Sequence, residues 1–293
     1  MQRIAITGAS GLIGTALVGK LKSDGYTVQR LVRRPTVSAE EIFWNPTTQE
    51  IDLEALAGVD AVIHLAGAGV GDKRWTKKYK SEILNSRLLG TTTIANAVSQ
   101  IKPQVFISSS AIGWYGETGN RAVIESDRGG DDFLAAVCRE WEAAADLAGD
   151  VRTVKIRTGL VLDPTGGALG RMLPLFRFGL GGKLGSGKQW WSWITLHDHL
   201  RAIEFILENK EISGPVNLTS PNPVTNQEFT SALARALRRP ALFPAPAFAL
   251  KAALGGFSTE ILGSKKVLPG ALQDAGFNFE FPHIGPALDA LAN

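Results

Sequence analysis

The chain has 293 residues, 44% of them hydrophobic and 20% charged, and carries a net charge of +3. That composition supports a sizeable core and excludes a disordered or fibrous chain. The single cysteine, Cys138, excludes an internal disulfide and a cysteine-based zinc site, and no run of about 18 apolar residues exists to span a membrane.

Residues 3–7 (RIAIT) predict a short apolar strand. The turn GASGLIG follows, then a helix with Ala16, Leu17 and Leu21 on one face, ending at Gly25. YTVQRLVRR predicts a second strand, IFWN a third, DLEALAGVD a short helix and AVIHLAG a buried fourth strand. Residues 76–100 carry a long helical pattern through Ile83, Leu84, Leu88, Ile94, Ala97 and Val98. PQVFISSSA is another strand, residues from about Asp132 to Gly149 another helix, and VRTVKIRTGLVL another strand. Strands alternating with helices predict an α/β fold, a doubly wound parallel sheet joined by right-handed crossovers.

After Leu162 the character changes. Residues 163–190 are rich in Gly and basic residues and read as a substrate-facing loop with a short helix. Asp198 is a plausible N-cap for HLRAIEFILEN, and His197 and His199 read as a solvated helix start, since no further ligand cluster accompanies them. Thr225 and Glu228 match a capping box that opens a helix with Phe229, Leu233 and Leu237 inward, ended by Pro240. Residues 241–293 form a Pro- and Ala-rich tail with at least one helix. The expected division is a nucleotide-binding domain over 1–162, with sheet contributions from about 190–220, and a substrate lobe and C-terminal segment over 163–293.

Gly8-Ala9-Ser10-Gly11-Leu12-Ile13-Gly14 lies between a strand and a helix. Glycine at these places permits a tight turn, close approach of backbone to a pyrophosphate and close helix–strand packing. The helix start offers free N–H groups and a positive dipole end to the anion. An NAD-preferring site carries an Asp or Glu about 20 residues beyond the turn. Here the second strand ends in Arg33-Arg34 instead, and guanidinium groups grip a 2′-phosphate. NADP(H) is therefore the expected cofactor, and no metal is expected.

The GASGLIG turn, His64-Leu65-Ala66-Gly67 and Ser108-Ser109-Ser110-Ala111 before Tyr115-Gly116 resemble the extended short-chain dehydrogenase/reductase superfamily. KRWTKKYKSEILNSRLLGT, RTGLVL with its following Gly pair, LPLFRFGLGGKLGSGKQWWSWI and the tail from FPAPAF to ALDAL are similar to its atypical group labelled "epimerase family protein", often miscalled a cell-division inhibitor. The resemblance implies a Rossmann sheet with a smaller C-terminal substrate lobe. It also implies NADP(H) contacts from the turn, Arg33, Arg34, Leu65, Ala66, Gly67, Glu82, Arg87 and Val161.

The superfamily's catalytic members use a Tyr-x-x-x-Lys pair, in which Lys lowers the Tyr pKa so that the phenol exchanges a proton. The three tyrosines, Tyr26, Tyr79 and Tyr115, are followed four residues on by Arg30, Ile83 and Gly119. Aligning Glu142 with a Glu common in extended members puts Cys138 in the Lys place and Leu134 in the Tyr place. The remaining catalytic candidates are Ser110, which matches the superfamily's catalytic Ser, and Tyr115, as general acid or as a cleft wall. Arg87 is a candidate anion ligand. Cys138 reads as a packing residue, and Trp190, Trp191 and Trp193 as a ligand cap or as lobe packing. The chain reads as an NADP(H)-dependent oxidoreductase or epimerase with an altered acid–base apparatus, acting on a small molecule. The alternatives are a non-catalytic NADP(H)-binding redox sensor or scaffold, and an NAD-dependent sugar-nucleotide epimerase, which the arginines disfavour. A cytoplasmic setting with no nucleic-acid or membrane partner is expected.

Overall fold

The computed structural model describes residues 2–292. The first part of the chain forms β1 (Arg3–Thr7), α1 (Leu12–Ser23), β2 (Thr27–Val32), β3 (Glu41–Asn45), β4 (Glu50–Ile51), α2 (Leu53–Leu56), β5 (Ala61–His64), α3 (Lys77–Ile101), β6 (Val105–Ala111), β7 (Ala122–Val123), α4 (Phe133–Ala145) and β8 (Thr153–Thr158). The rest forms β9 (Leu160–Asp163), α5 (Gly167–Arg177), β10 (Trp190–Trp191), β11 (Trp193–Thr195), α6 (Leu196–Glu208), β12 (Gly214–Leu218), β13 (Val224–Thr225) and α7 (Asn226–Ala236). The tail carries α8 (Ala247–Leu254), α9 (Ser258–Leu262), β14 (Lys266–Val267), α10 (Gly270–Asp274) and α11 (Ile284–Ala292).

Eight strands make one sheet in the order β12-β8-β6-β5-β1-β2-β3-β4, parallel throughout except for the β3–β4 pair. The strand order reverses at β1, which lies between β2 and β5. In open α/β sheets the ligand crevice forms outside the carboxyl ends of the strands at such a point. Successive residues point to opposite faces. Ile63 and Ile107 join Leu17 and Leu21 of α1 and Ile203 and Ile206 of α6 on one side. Val62 and Phe106 join Ile94 and Val98 of α3 on the other. With both faces covered, all of β5 is buried, which is why AVIH reads as a continuous apolar run capped by one histidine.

Several expectations change. VRTVKIRTGLVL is two strands, because it breaks at Gly159. A Cβ there would lie 2.6 Å from the Ser192 carbonyl oxygen and 2.8 Å from Thr219 Cγ2. β8 stays in the large sheet while β9 pairs with β11. Asp198 is not the N-cap of α6; Thr195 is, its hydroxyl accepting from the Asp198 N–H at 3.1 Å. The buried Asp198 carboxylate instead accepts from the N–H groups of Glu280 and Phe281 at 3.0 and 2.8 Å, tying the tail to α6. Nor is the helix start solvated throughout. His199 is buried and meets the Thr158 hydroxyl at 3.1 Å, whereas His197 is exposed beside Glu280. The capping box at Thr225 and Glu228 is present.

Among the described residues the tail holds four helices of 5 to 9 residues, each too short to show a clear helical period in sequence. It is also divided. Leu272 and Phe277 pack beneath the large sheet, while Ala287 and Leu288 join Phe229 and Trp193 in the lobe. Among the described residues no helix is long and apolar enough to cross a membrane, and no group of three or more His, Cys, Asp or Glu could hold a metal.

Burial pushes His64 down to about 3 and His199 to about 4, so both stay neutral in the fold. The unfolded chain takes up protons at these positions as pH falls through the ordinary histidine value of about 6.5, while the folded chain does not. Stability should therefore be full above that value and fall towards pH 5. Thermal melts from pH 7.5 to 5 should show a falling Tm, with a slope reduced by about half in His199→Gln. A Tm flat over this range would contradict the assignment.

Candidate nucleotide and substrate cleft

The glycine turn divides its work by position. Gly8 has a φ of +68°, and a Cβ on it would lie 2.8 Å from the Leu65 carbonyl carbon and 2.9 Å from the Ala66 nitrogen. A Cβ on Gly14 would lie 2.1 Å from the Gly8 carbonyl oxygen. These two glycines let β1, α1 and the end of β5 close on one another. Gly11 is exposed, and a Cβ there would meet only that same oxygen at 3.4 Å. Gly11 caps α1 without a side-chain bond, and the first turn of α1 carries no acid. The N–H groups at this helix start are thus left for an anion.

Neighbouring groups hold the turn in place. The Thr7 hydroxyl accepts from the Leu65 and Ala66 N–H groups at 3.1 and 3.3 Å and lies 2.7 Å from His64 Nδ1. With both lone pairs used, its own hydrogen goes to Nδ1, which puts the imidazole hydrogen on Nε2. Leu65 and Ala66 are thereby pinned beside Gly8. Ser10 is exposed, while Leu12 and Ile13 are half-buried. Leu12 closes one side of the turn: a Cβ on Gly167 would lie 3.5 Å from its Cδ2 and 3.6 Å from the Val161 carbonyl oxygen. Val161 and the start of α5 therefore border the same turn.

At the end of β2 the two arginines differ. Arg33 is exposed and has no ion pair or hydrogen bond from its side chain among the described residues. Arg34 forks onto the buried Glu41 carboxylate at 2.7 and 2.9 Å. Glu41 also accepts from Arg30 at 3.1 Å and from the Val37 N–H at 3.0 Å. The Arg34 bonds first, and the Val37 bond next, hold this carboxyl down at about 2. The dipeptide supplies one free guanidinium and one clamped one. Glu41, at a strand start seven residues on, gave no sequence signal of this role.

Past the end of β6, the first turns of α4 present apolar side chains. A Cβ on Gly113 would lie 3.3 Å from Leu134 Cβ and 3.6 Å from Cys138 Sγ. Burial, then the nearby Glu142 charge, pushes the Cys138 thiol up to about 12, so it is a packing residue with no thiolate to offer. Ser110 and Tyr115, the catalytic candidates, both have their hydroxyls engaged in the core. Ser110 donates to Glu142 at 2.6 Å, and Glu142 is forked by Arg157 at 2.8 and 2.9 Å. Arg157 donates to the Tyr115 oxygen at 3.0 Å, and the Tyr115 hydroxyl donates to Asn217 at 2.8 Å. Arg157 also lies 4.0 Å over the Trp114 ring. Burial pushes the Tyr115 phenol up to about 12, with Arg157 pulling it the other way. This network ties β6, β8, β12 and α4 together, and engages the hydrogens of the two hydroxyls that the sequence offered for proton transfer.

Arg87 is the cation this region does offer. It donates to the Ala68 and Ile83 carbonyl oxygens at 2.9 and 3.1 Å and stacks 4.7 Å over Trp141, with no carboxylate partner among the described residues. A Cβ on Gly67 would lie 3.5 Å from it, which places Arg87 against the loop that leaves β5. Glu82 is not brought to it. Five residues apart on a helix is about 140° of rotation, and Glu82 is exposed beside Lys73 at 3.2 Å. The loop after Gly67 bridges to the lobe, an arrangement the sequence reading did not anticipate. Arg171 of α5 donates to the Gly71 carbonyl oxygen at 3.0 Å, and the Trp75 ring lies 5.8 Å from Phe257. The tryptophan cluster is packing: Trp191 and Trp193 lie in the lobe core, and Trp190 donates to Asn120 at 2.9 Å under Lys266.

Residues 4–218 match the model of the NAD dependent epimerase/dehydratase family. The chain belongs to this family. Residues 245–291 match a further domain family, of unknown function. Within the family the chain is 45% identical to the epimerase family protein ML0860 of Mycobacterium leprae over 289 residues, which is 97% of this chain and 94% of that protein. The crystal structure of human epimerase family protein SDR39U1 with NADPH superposes with a TM-score of 0.91 at 33% identity, covering 99% of both chains. A nucleoside-diphosphate sugar epimerase from Corynebacterium glutamicum gives a TM-score of 0.82 at 34% identity, covering 99% of this chain and 58% of that one. The family likeness thus extends through the lobe as well as the sheet, in keeping with an atypical extended short-chain dehydrogenase/reductase.

Two substitutions separate packing from binding in the turn. Gly14→Ala forces a methyl group into backbone and should cost at least the roughly 1–3 kcal/mol of an overpacked core, read as a lower Tm. Gly11→Ala should leave Tm within about 1 °C yet weaken dinucleotide binding, measured by fluorescence titration, by about tenfold or more, because the methyl group stands where the phosphate approaches. Equal effects from both would contradict this division.

Proposed function

We propose that this chain binds NADP(H) and acts as an oxidoreductase or epimerase on a small molecule without the Tyr-x-x-x-Lys pair. One observation carries the cofactor reading: an acid-free helix start behind a glycine turn, with the unpartnered Arg33 at the end of the next strand. The NADPH named with the human relative's structure supports the same reading. The residues present fit the group. The turn from Gly8 to Gly14 would hold the pyrophosphate and Arg33 the 2′-phosphate, with Arg34 braced beside it by Glu41. The backbone from Leu65 to Gly67 and at Val161 would line the cleft, and Arg87 would receive an anionic or carbonyl oxygen. Glu82 would take part only by leaving Lys73. Bound there, the nicotinamide supplies hydride chemistry.

This chain's own contribution is then orientation and charge. Arg87, desolvated and stacked on Trp141, stabilises negative charge beside the apolar Leu134 and Cys138 surface. A guanidinium holds its protons at all working pH values, so it stabilises charge rather than transfers protons. That points to a reaction whose proton comes from solvent or from the substrate. The engaged hydroxyl hydrogens of Ser110 and Tyr115 favour a second reading: a non-catalytic NADP(H) binder that reports redox state.

Native mass spectrometry of the purified protein should reveal NADP(H), and a screen of carbonyl compounds for NADPH oxidation separates the two readings. Arg33→Ala should weaken NADPH binding by about tenfold or more, the worth of a hydrogen bond to a charged group, while changing NADH binding less than about twofold. Equal loss for both nucleotides would sink the 2′-phosphate assignment. Any activity found should survive Tyr115→Phe with kcat within about threefold and fall steeply in Arg87→Ala. The reverse pattern would return catalysis to the tyrosine.

A further inference from the structure

Two segments of the lobe, 164–197 and 229–259, contain no Asp or Glu, yet hold Arg171, Arg177, Lys183, Lys188, Arg235, Arg238, Arg239 and Lys251. Apart from Arg171, which meets Asp72, these side chains form no ion pair among the described residues. The same segments hold six of the nine exposed large hydrophobic residues among the described residues: Leu175, Phe178, Leu180, Leu242, Phe243 and Phe248. Main-chain bonds bring the two segments together. Phe243 N–H donates to the Gly181 carbonyl oxygen at 3.1 Å, and Ala245 N–H to that of Lys183 at 2.9 Å. The α8 helix that follows buries none of its residues, although six of its eight are Ala or Leu.

Folding explains none of these exposed side chains. Phe178 is 81% exposed, Phe248 77%, Leu242 74% and Phe243 60%. A patch this apolar on a folded domain marks an interaction site. Its charge selects the occupant. A second copy placed face to face would set an acid-free basic surface against its own like, which is repulsive. The occupant must carry negative charge and accept aromatic side chains that protrude. A headgroup layer does both: apolar tips enter the acyl boundary while Arg and Lys meet the phosphates.

We propose that this end of the lobe docks on an anionic lipid surface, with Phe178, Phe243 and Phe248 inserting and Arg177, Arg238, Arg239 and Lys251 meeting the headgroups. Among the described residues no helix is long and apolar enough to cross a membrane, and a surface contact needs none. The site lies on the lobe that reaches the cleft loop through Arg171 and Phe257, but its residues are none of those assigned to the nucleotide. Its failure would therefore leave the NADP(H) reading intact.

The test is co-sedimentation of the full chain with vesicles of equimolar phosphatidylglycerol and phosphatidylcholine, against vesicles of phosphatidylcholine alone and against polyglutamate beads. Binding is expected to the anionic vesicles only, weakening as salt rises from about 0.05 to about 0.5 M. Phe178→Ser/Phe243→Ser/Phe248→Ser and Arg238→Glu/Arg239→Glu should each lower partitioning by about tenfold or more, with Tm and NADPH affinity unchanged. Because every residue changed is exposed, both variants should fold; should one not, the other decides. Equal binding to neutral vesicles, or no binding to either, overturns the proposal. Capture on polyglutamate without vesicle binding replaces it with an acidic protein partner. A concentration-dependent dimer abolished by the Phe substitutions, without lipid binding, replaces it with self-association.

Discussion

A methyl group on Gly14 would lie 2.1 Å from the Gly8 carbonyl oxygen, and one on Gly8 would lie 2.8 Å from the backbone of Leu65. This approach of α1 to the ends of β1 and β5 is the constraint from which the cleft follows. It sets the helix start directly over the point where the strand order reverses. It also leaves Gly11 as the turn's open face, and requires Thr7 to satisfy the two N–H groups that β5 exposes as it departs. The open helix start is thus a by-product of tight packing among three elements, and it costs the chain the side chains that would otherwise fill the space.

The other half of the cleft follows from a buried ion pair. Glu142 and Arg157 are almost wholly removed from water, and removing one partner of such a pair leaves an uncompensated charge worth about 3–5 kcal/mol. Their remaining hydrogen-bonding capacity needs partners, and Ser110 and Tyr115 supply them, Tyr115 donating in turn to Asn217. The polar groups at the sheet's carboxyl edge therefore hold β6, β8 and β12 to α4. Leu134 and Cys138 face the neighbouring turn as apolar surface, leaving the Arg87 cation on a different helix as the local charge. This edge of the sheet thus presents a leucine, a neutral thiol and a guanidinium.

Much was legible because it is local. The strand–turn–helix at Gly8 to Gly14, the long helix over 76–100 and the capping box at Thr225 each depend on residues within a few positions of one another. The break at Gly159 was not legible, because the Ser192 and Thr219 atoms that forbid a side chain there come from distant strands. The same holds for Asp198. In sequence it resembles an N-cap, but its partners are N–H groups more than 80 residues away. The number of tail helices was not legible because helices this short owe their stability to what they dock on.

What the sequence by itself determined is the alternating α/β order, the glycine turn, the paired arginines and the absence of a Tyr-x-x-x-Lys pair. All are statements about residue type and spacing, and short-range geometry enforces them. What only the tertiary structure decided is how those residues are used. Arg34 is clamped by Glu41 while Arg33 is free, and Ser110 and Tyr115 are spent inside a network. Glu82 and Arg87 part company around one helix. Each outcome depends on which group offers the nearer opposite charge or unfilled hydrogen bond, and that is fixed only when the sheet sets separate strands side by side, as β2 with β3 and β6 with β8.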